Sequence, residues 1–338
     1  MDQLLSVEDL RIYYHERDRT IRAVDGINLS VSQGRTLALV GESGCGKTTI
    51  ALGIMGLVPS PGRRESGTVR FEGRDLYALK SDELRRLRGA EISMIFQDPS
   101  SGLNPVLTVG SQLDEMIRTH TDVSKREARR ITLEALRRQR LPDPERIVDA
   151  YPFHLSGGMC QRVMIAIATV LRPKLIIADE PTSALDVTQQ AGILRDLDGL
   201  KEHLGIAILL ITHDLGVVAG MADDVAVMYA GRVVEESTAE EIFAHPRHPY
   251  SAGLLAARPR VDRVGERLTP IRGGPPELSA ESDECAFLPR CPKAISACRT
   301  QPWPGLAEVA AGHTAACYNP MFVADEDEPA RPNPRPIP

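Results

Sequence analysis

The chain has no hydrophobic run long enough to cross a bilayer. Its longest, Val163–Leu171, is about half of the roughly 18–20 residues a spanning helix needs, and is expected to be a buried helix. The N-terminus, MDQLLSVEDL, carries acids where a secretory signal needs basic residues. A cytoplasmic protein is expected, so other subunits would have to supply the membrane part of any membrane process. An excess of positive charge is also missing. Lys and Arg total 40 against 46 Asp and Glu, a formal charge of −6, which gives no electrostatic support for a nucleic-acid partner. The basic runs Arg85–Arg88 and Arg137–Arg140 read as solvated helix faces.

What is present suits a soluble protein. Of 338 residues, 42% are hydrophobic and 25% charged, which implies one large domain with an appendage. Alternating apolar and polar positions predict edge strands over 4–14 and 21–31. Short apolar runs predict strands at Thr36–Val40, Thr68–Glu72, Ile92–Phe96, Leu175–Ala178 and Ile206–Ile211, and a hairpin joins Val225–Tyr229 to Arg232–Glu236. Helices are expected from about Lys47 to Leu57, over Ser124–Arg140, and from Ser156 to Leu171. Strands alternating with helices argue for an α/β class with a parallel core, an antiparallel β edge and a helical insertion at about 98–165. The main domain is placed at 1–257. Pro and Gly become frequent from about Arg258, marking a small irregular region over 258–322. The acidic then Pro-rich tail, 323–338, is expected to be disordered.

The chemistry starts at Gly41-Glu-Ser-Gly-Cys-Gly-Lys-Thr48, which fits GxxxxGK[ST] between a predicted strand and a predicted helix. Backbone N–H groups of such a loop curl around phosphate oxygens, and the helix N-terminus adds positive partial charge. Lys47 should contact the β- and γ-phosphates and Thr48 should ligate Mg²⁺. Ile176-Ile-Ala-Asp179-Glu180 supplies the acids: a buried strand delivers Asp179 to the Mg²⁺ side, and Glu180 is placed to polarise an attacking water.

Leu155-Ser-Gly-Gly158-Met-Cys-Gln-Arg162 resembles the LSGGQ signature of ABC ATPases. The order of motifs resembles that family too: phosphate loop, Gln97 in Ile95-Phe-Gln-Asp98, signature, acidic strand, Ser183-Ala-Leu-Asp186, then His213. The resemblance implies a P-loop ABC fold working as a head-to-tail dimer, with ATP between the phosphate loop of one domain and the signature of the other. It implies nucleotide contacts from Gly41, Ser43, Gly44, Cys45, Gly46, Lys47, Thr48 and Thr49, and from Ser156, Gly157 and Gly158 across the dimer. Glu180 would be the base, His213 would hold the γ-phosphate, and Gln97 would join Thr48 and Asp179 near Mg²⁺ and link the nucleotide to a membrane partner. Tyr14, with Tyr13 as second choice, would stack on adenine. Met159 stands where the commonest signature has Gln, which resembles the peptide-importer branch.

Four of the six cysteines crowd into the end of the chain: Cys285, Cys291, Cys298 and Cys317. Disulfides are not expected in a reducing cytosol. Four thiolates can hold a 4Fe–4S cluster or a tetrahedral Zn²⁺, and spacing unlike paired CxxC knuckles favours iron; free buried thiols are the third reading. The surrounding His248-Pro-Tyr250, Gly274-Pro-Pro-Glu-Leu278 and Cys285-Ala-Phe-Leu-Pro-Arg-Cys291-Pro resemble the tail of dipeptide/oligopeptide permease ATPases. That resemblance spans about residues 4–320. It implies a 4Fe–4S cluster and, as partners, a second homologous ATPase, two transmembrane permease subunits and an extracytoplasmic substrate-binding protein. The chain would then sit peripherally on the cytoplasmic face of the membrane. A non-transport ABC ATPase is the competing class; it usually carries a coiled-coil or zinc insertion, or two ATPase domains, and neither is read here.

Overall fold

The computed structural model describes residues 3–99, 102–183, 187–257, 270–278 and 284–321. Three segments read from the sequence lie outside them: Ala184–Asp186 of the SALD motif, the chain just after Arg258, and the acidic and Pro-rich tail. The strands are β1 (Gln3–His15), β2 (Thr20–Ser32), β3 (Thr36–Val40), β4 (Gly62–Phe71), β5 (Arg74–Asp75), β6 (Ile92–Ile95), β7 (Leu175–Asp179), β8 (Ala207–Thr212), β9 (Asp224–Tyr229), β10 (Arg232–Thr238), β11 (Ala307–Ala310) and β12 (His313–Ala315).

Two sheets result. An antiparallel sheet runs β2-β1-β4-β5, and a larger one runs β11-β12-β10-β9-β3-β8-β7-β6. Strands β9, β3, β8, β7 and β6 are mutually parallel. Every residue of β3, β7 and β8 is buried. That explains their unbroken apolar runs: a parallel strand covered on both faces has no solvent side to alternate toward. Leu37, Leu39, Ile177, Leu209 and Ile211 join the antiparallel sheet and the helix Lys47–Met55 in one core; Ile176, Ile208 and Leu210 face the helices behind.

The helices Val109–His120, Lys125–Arg138, Pro144–Ile147 and Gly157–Thr169 pack around Leu113, Leu136 and Val163 in a core of their own. Thr108 and Ser124 cap the first two by accepting from the amides of Ser111 and Glu127. Among the described residues no helix is long and apolar enough to cross a membrane.

Two expectations change. Arg85 is a solvated face residue, 75% exposed. Arg88 is not: its guanidinium donates to the carbonyls of Met55 and Gly56 at 2.8 and 3.0 Å, satisfying the C-terminal end of the helix that follows the phosphate loop. The region after 270 is also less irregular than its composition suggests. β12 pairs with β10 and β11 with β12, so this segment extends the main sheet. A buried pair fastens it: His313 Nε2 lies 2.7 Å from Glu235 Oε1, both side chains fully buried.

Candidate active site

The parallel order places four strand ends together. The loops leaving the C-terminal ends of β3, β8, β7 and β6 carry the phosphate loop, His213, Asp179–Glu180 and Gln97. Ligands of open α/β sheets bind at this edge because backbone groups and helix N-termini converge there.

The loop Gly41–Thr48 needs Gly41 and Gly46 for space. A Cβ on Gly41 would lie 2.2 Å from the carbonyl oxygen of Met228, and one on Gly46 would lie 2.0 Å from that of Ala23. Gly46 also has φ +107°, a left-handed conformation that side chains disfavour, and it is the N-cap of the helix Lys47–Met55. Lys47 is buried, and its ammonium donates to the carbonyls of Gly41 and Glu42 at 2.8 and 2.9 Å. Ser43, Gly44 and Thr48 are exposed and Thr49 half-buried at the open mouth of the loop. Cys45 is buried against Lys47, and burial raises its thiol pKa.

Glu180 is held from both sides. Gln97 Nε2 donates to one carboxylate oxygen at 3.0 Å, and His213 Nδ1 lies 3.0 Å from the other. The backbone turns sharply there: Glu180 has φ +44°, and its amide donates to the Ile211 carbonyl at 2.8 Å. A non-glycine residue in that conformation is strained, and such strain is concentrated at functional positions. His213 is 61% exposed while Glu180 is only 14% exposed, so the carboxylate is sheltered and the imidazole faces the open edge. A carboxylate fixed by two polar neighbours is equipped to orient a water and accept its proton.

Asp179 is buried, and its Oδ1 has no hydrogen-bond partner. Burial raises its pKa, opposed by a hydrogen bond from Thr48. A buried carboxylate oxygen left unpaired beside a Thr hydroxyl is a donor set that suits Mg²⁺. When bound, the ion would neutralise charge on the phosphates.

Elsewhere, Ser156 caps the helix Gly157–Thr169 by accepting from the Met159 amide. Gly157 lies in open space, so this helix start is accessible to a ligand. Gly158 lies beside Gln189. Gln161 ties the helix to the acidic strand by donating to the Pro181 carbonyl at 2.6 Å. The two tyrosines separate: Tyr13 donates to Asp25 at 2.7 Å, whereas the Tyr14 ring lies against Gly62. Burial pushes the Asp25 carboxyl up, but hydrogen bonds from Tyr13 and Arg232 and the charges of Arg232 and Arg11 outweigh it and hold the group below its usual range.

The four C-terminal cysteines are free thiols, with Cys298 buried and Cys285, Cys291 and Cys317 half-buried. The Cys317 thiol is pushed up to about 11, chiefly by burial, with the nearby Cys291, Cys285 and Cys298 adding to it and a backbone hydrogen bond at Asn319 opposing it. Burial likewise raises Cys285, with Cys298 and Cys291 adding to it. Among the described residues no group of three or more His, Cys, Asp or Glu side chains is arranged to hold a metal ion.

Two residues of the C-terminal motifs, which the sequence did not place at the nucleotide edge, also hold the site. Tyr250 and Arg290 both bond to Glu42 of the phosphate loop. Arg290 is 248 positions away from Glu42, so no local pattern could pair them.

Comparison with known proteins agrees with this geometry. The family description "ABC transporter" matches residues 24–183, and "Oligopeptide/dipeptide transporter, C-terminal region" matches 234–298. The chain is similar to the oligopeptide transport ATP-binding protein OppD of Escherichia coli, 47% identical over 95% of this chain and 94% of that one. It is 45% identical to the dipeptide transport ATP-binding protein DppD of Bacillus subtilis, over 94% and 95%. Among solved structures it resembles the dimeric ATP-binding cassette MJ0796 bound to ADP and Pi, with TM-score 0.64 and 29% identity over 70% of this chain and 98% of that one. The α/β architecture, the assembled nucleotide edge and these similarities agree: this chain belongs to the ABC transporter family, as an ATP-hydrolysing subunit of the oligopeptide/dipeptide type.

Proposed function

We propose that this chain hydrolyses ATP to power the import of dipeptides or oligopeptides through a membrane complex. The observation that carries the catalytic half is the Glu180 carboxylate, fixed between Gln97 and His213 beside the phosphate loop. The peptide half is supported by the C-terminal region match and by the names of the relatives. Lys47, Ser43, Thr48 and Thr49 with the loop amides would bind the phosphates. Tyr14 would stack on adenine, since the Arg22 guanidinium lies over the Tyr13 ring, 5.6 Å from its centre. Asp179, Thr48 and Gln97 would hold Mg²⁺. Glu180 would take the proton of the attacking water, and His213 would hold the γ-phosphate.

The signature helix start, Ser156–Gly158, would serve a second ATPase domain placed head to tail; the dimeric cassette among the similar structures supports this. Two permeases and an extracytoplasmic binding protein would complete the complex, with this chain peripheral on the cytoplasmic face. In domain terms, residues 1–257 form the ATPase, with its helical part at 98–165, and 258–322 form the C-terminal region.

Cys285, Cys291, Cys298 and Cys317 would hold a 4Fe–4S cluster, or Zn²⁺ as the alternative. What supports this is the gathering of the four cysteines in one short C-terminal region whose sequence resembles the permease ATPase tail. Anaerobically purified protein should be brown, with near-stoichiometric iron and sulfide; colourless, metal-free, folded protein would exclude the cluster.

Mass spectrometry of the complex purified from native membranes in mild detergent tests the transport reading. Two permeases, a second ATPase and a solute-binding protein are expected. A soluble complex without permeases would overturn transport and leave ATP hydrolysis standing.

A further inference from the structure

Glu42 is the second residue of the phosphate loop, and three groups hold it. Its carbonyl accepts from Lys47 at 2.9 Å. Its amide donates to the hydroxyl of Tyr250, a fully buried residue of the helix Pro249–Ala256, at 2.9 Å. Its carboxylate receives a two-pronged bond from Arg290, with N–O distances of 2.7 and 2.8 Å.

Arg290 comes from far away in the chain and from a rigid setting. It ends the short 3₁₀ turn Leu288–Arg290, between Cys285 and Cys291. Its Nε donates to the Arg272 carbonyl at 2.9 Å, and its guanidinium lies 5.8 Å from the centre of the Tyr229 ring. The neighbouring Phe287 packs on Tyr229 and Tyr250 with ring centres 5.2 and 5.5 Å apart. The side chain is only 6% exposed, against 24% for Glu42. The guanidinium fork is thus aimed by contacts within the chain itself, and a fork bonded to a carboxylate fixes orientation as well as distance.

The charge arithmetic gives this pair a purpose. Glu42 places a negative charge in a loop that must receive a triphosphate. Left uncompensated in a half-buried site, it would repel the ligand, and the repulsion would be only partly screened. Arg290 cancels it and pins the loop backbone at the same time. We propose that Arg290 is a positioning residue for nucleotide: it neutralises and anchors Glu42, so the fold of the segment around Cys285–Cys291 sets the affinity of the phosphate loop for ATP. Arg290 acts through Glu42 and need not touch the nucleotide.

The test uses the full chain with its cysteines intact, purified anaerobically. It measures ATP dissociation constants by fluorescence, and KM and kcat in the assembled complex. Arg290→Met should weaken ATP binding by about tenfold and raise KM, while kcat at saturating ATP changes much less. The double variant Arg290→Met/Glu42→Gln should recover most of the lost affinity, because the uncompensated charge is gone. Arg290→Lys, which keeps the charge without the fork, should fall between wild type and Arg290→Met, and it serves as the test variant if Arg290→Met does not fold. Unchanged ATP affinity in Arg290→Met, or in Arg290→Lys where it stands in, would overturn the proposal. So would a double variant as weak as the single one, since that pattern marks a loss of fold alone.

Discussion

The nucleotide edge and the C-terminal region are built by different means. At the nucleotide edge, fully buried strands fix the backbone, and the functional groups sit on the turns that leave them. In the C-terminal region the described strands are short and partly exposed. Order there comes from side chains: His313 on Glu235, Trp303 with Arg232 4.9 Å from its ring centre, and the aromatic cluster around Phe287. A backbone-built site tolerates change at its periphery. A region joined by a few side chains can lose its order to a single substitution. The first arrangement suits chemistry that must not drift, and the second leaves the region responsive to its surroundings.

The largest expected effect probes the first arrangement. Glu180→Gln should lower turnover in the assembled complex by about 10³-fold, the scale of a lost general base, while ATP binding survives. Steady-state hydrolysis and nucleotide binding check it; wild-type turnover would remove Glu180 from the role of base. The next probes the second arrangement. Phe287→Ala removes a buried ring that touches Tyr229, Tyr250 and His248, at a cost of about 3–5 kcal/mol. Limited proteolysis should then cut the C-terminal region before the ATPase core. Simultaneous loss of both would mean the regions unfold as one unit, and the contrast drawn here would fail.

The smallest effect is a matter of pH. Burial raises the pKa of Asp179 in the folded protein. The stability this group contributes is therefore present below its unfolded pKa and is lost as pH rises through the folded value. At neutral pH the ionised group destabilises the nucleotide-free fold. Asp179→Asn should raise the nucleotide-free Tm at pH 7, and the gain should shrink as pH falls toward the carboxylate range. Mg-ATP should no longer stabilise the variant. A Tm difference independent of pH would show that the charge is not what burial penalises.

The same contrast explains what could be read from the sequence. The phosphate loop, the signature and the acidic strand were legible because each is a local pattern whose chemistry requires adjacent residues. The parallel strands were legible because burial on both faces demands unbroken apolar runs such as Leu175–Ala178. The strand His313–Ala315 was not legible: three residues have no period, and β10 makes them a strand by pairing with them. Arg88 read as one of a solvated basic run because its acceptors, the carbonyls of Met55 and Gly56, are set by folding. The grip of Tyr250 and Arg290 on Glu42 was hidden for the same reason, being defined only once distant segments meet.

The pairing of β12 with β10 also bears on how the chain is made. Until β12 emerges, β10 is an open sheet edge with its hydrogen-bonding groups exposed, the kind of surface that recruits other strands. The His313–Glu235 contact spans 78 positions. At about 5–20 residues per second of synthesis, the edge stays open for roughly 4–16 s. During that interval the nascent chain offers a template for misassembly, and pairing with β12 closes that template along Glu235 and Glu236.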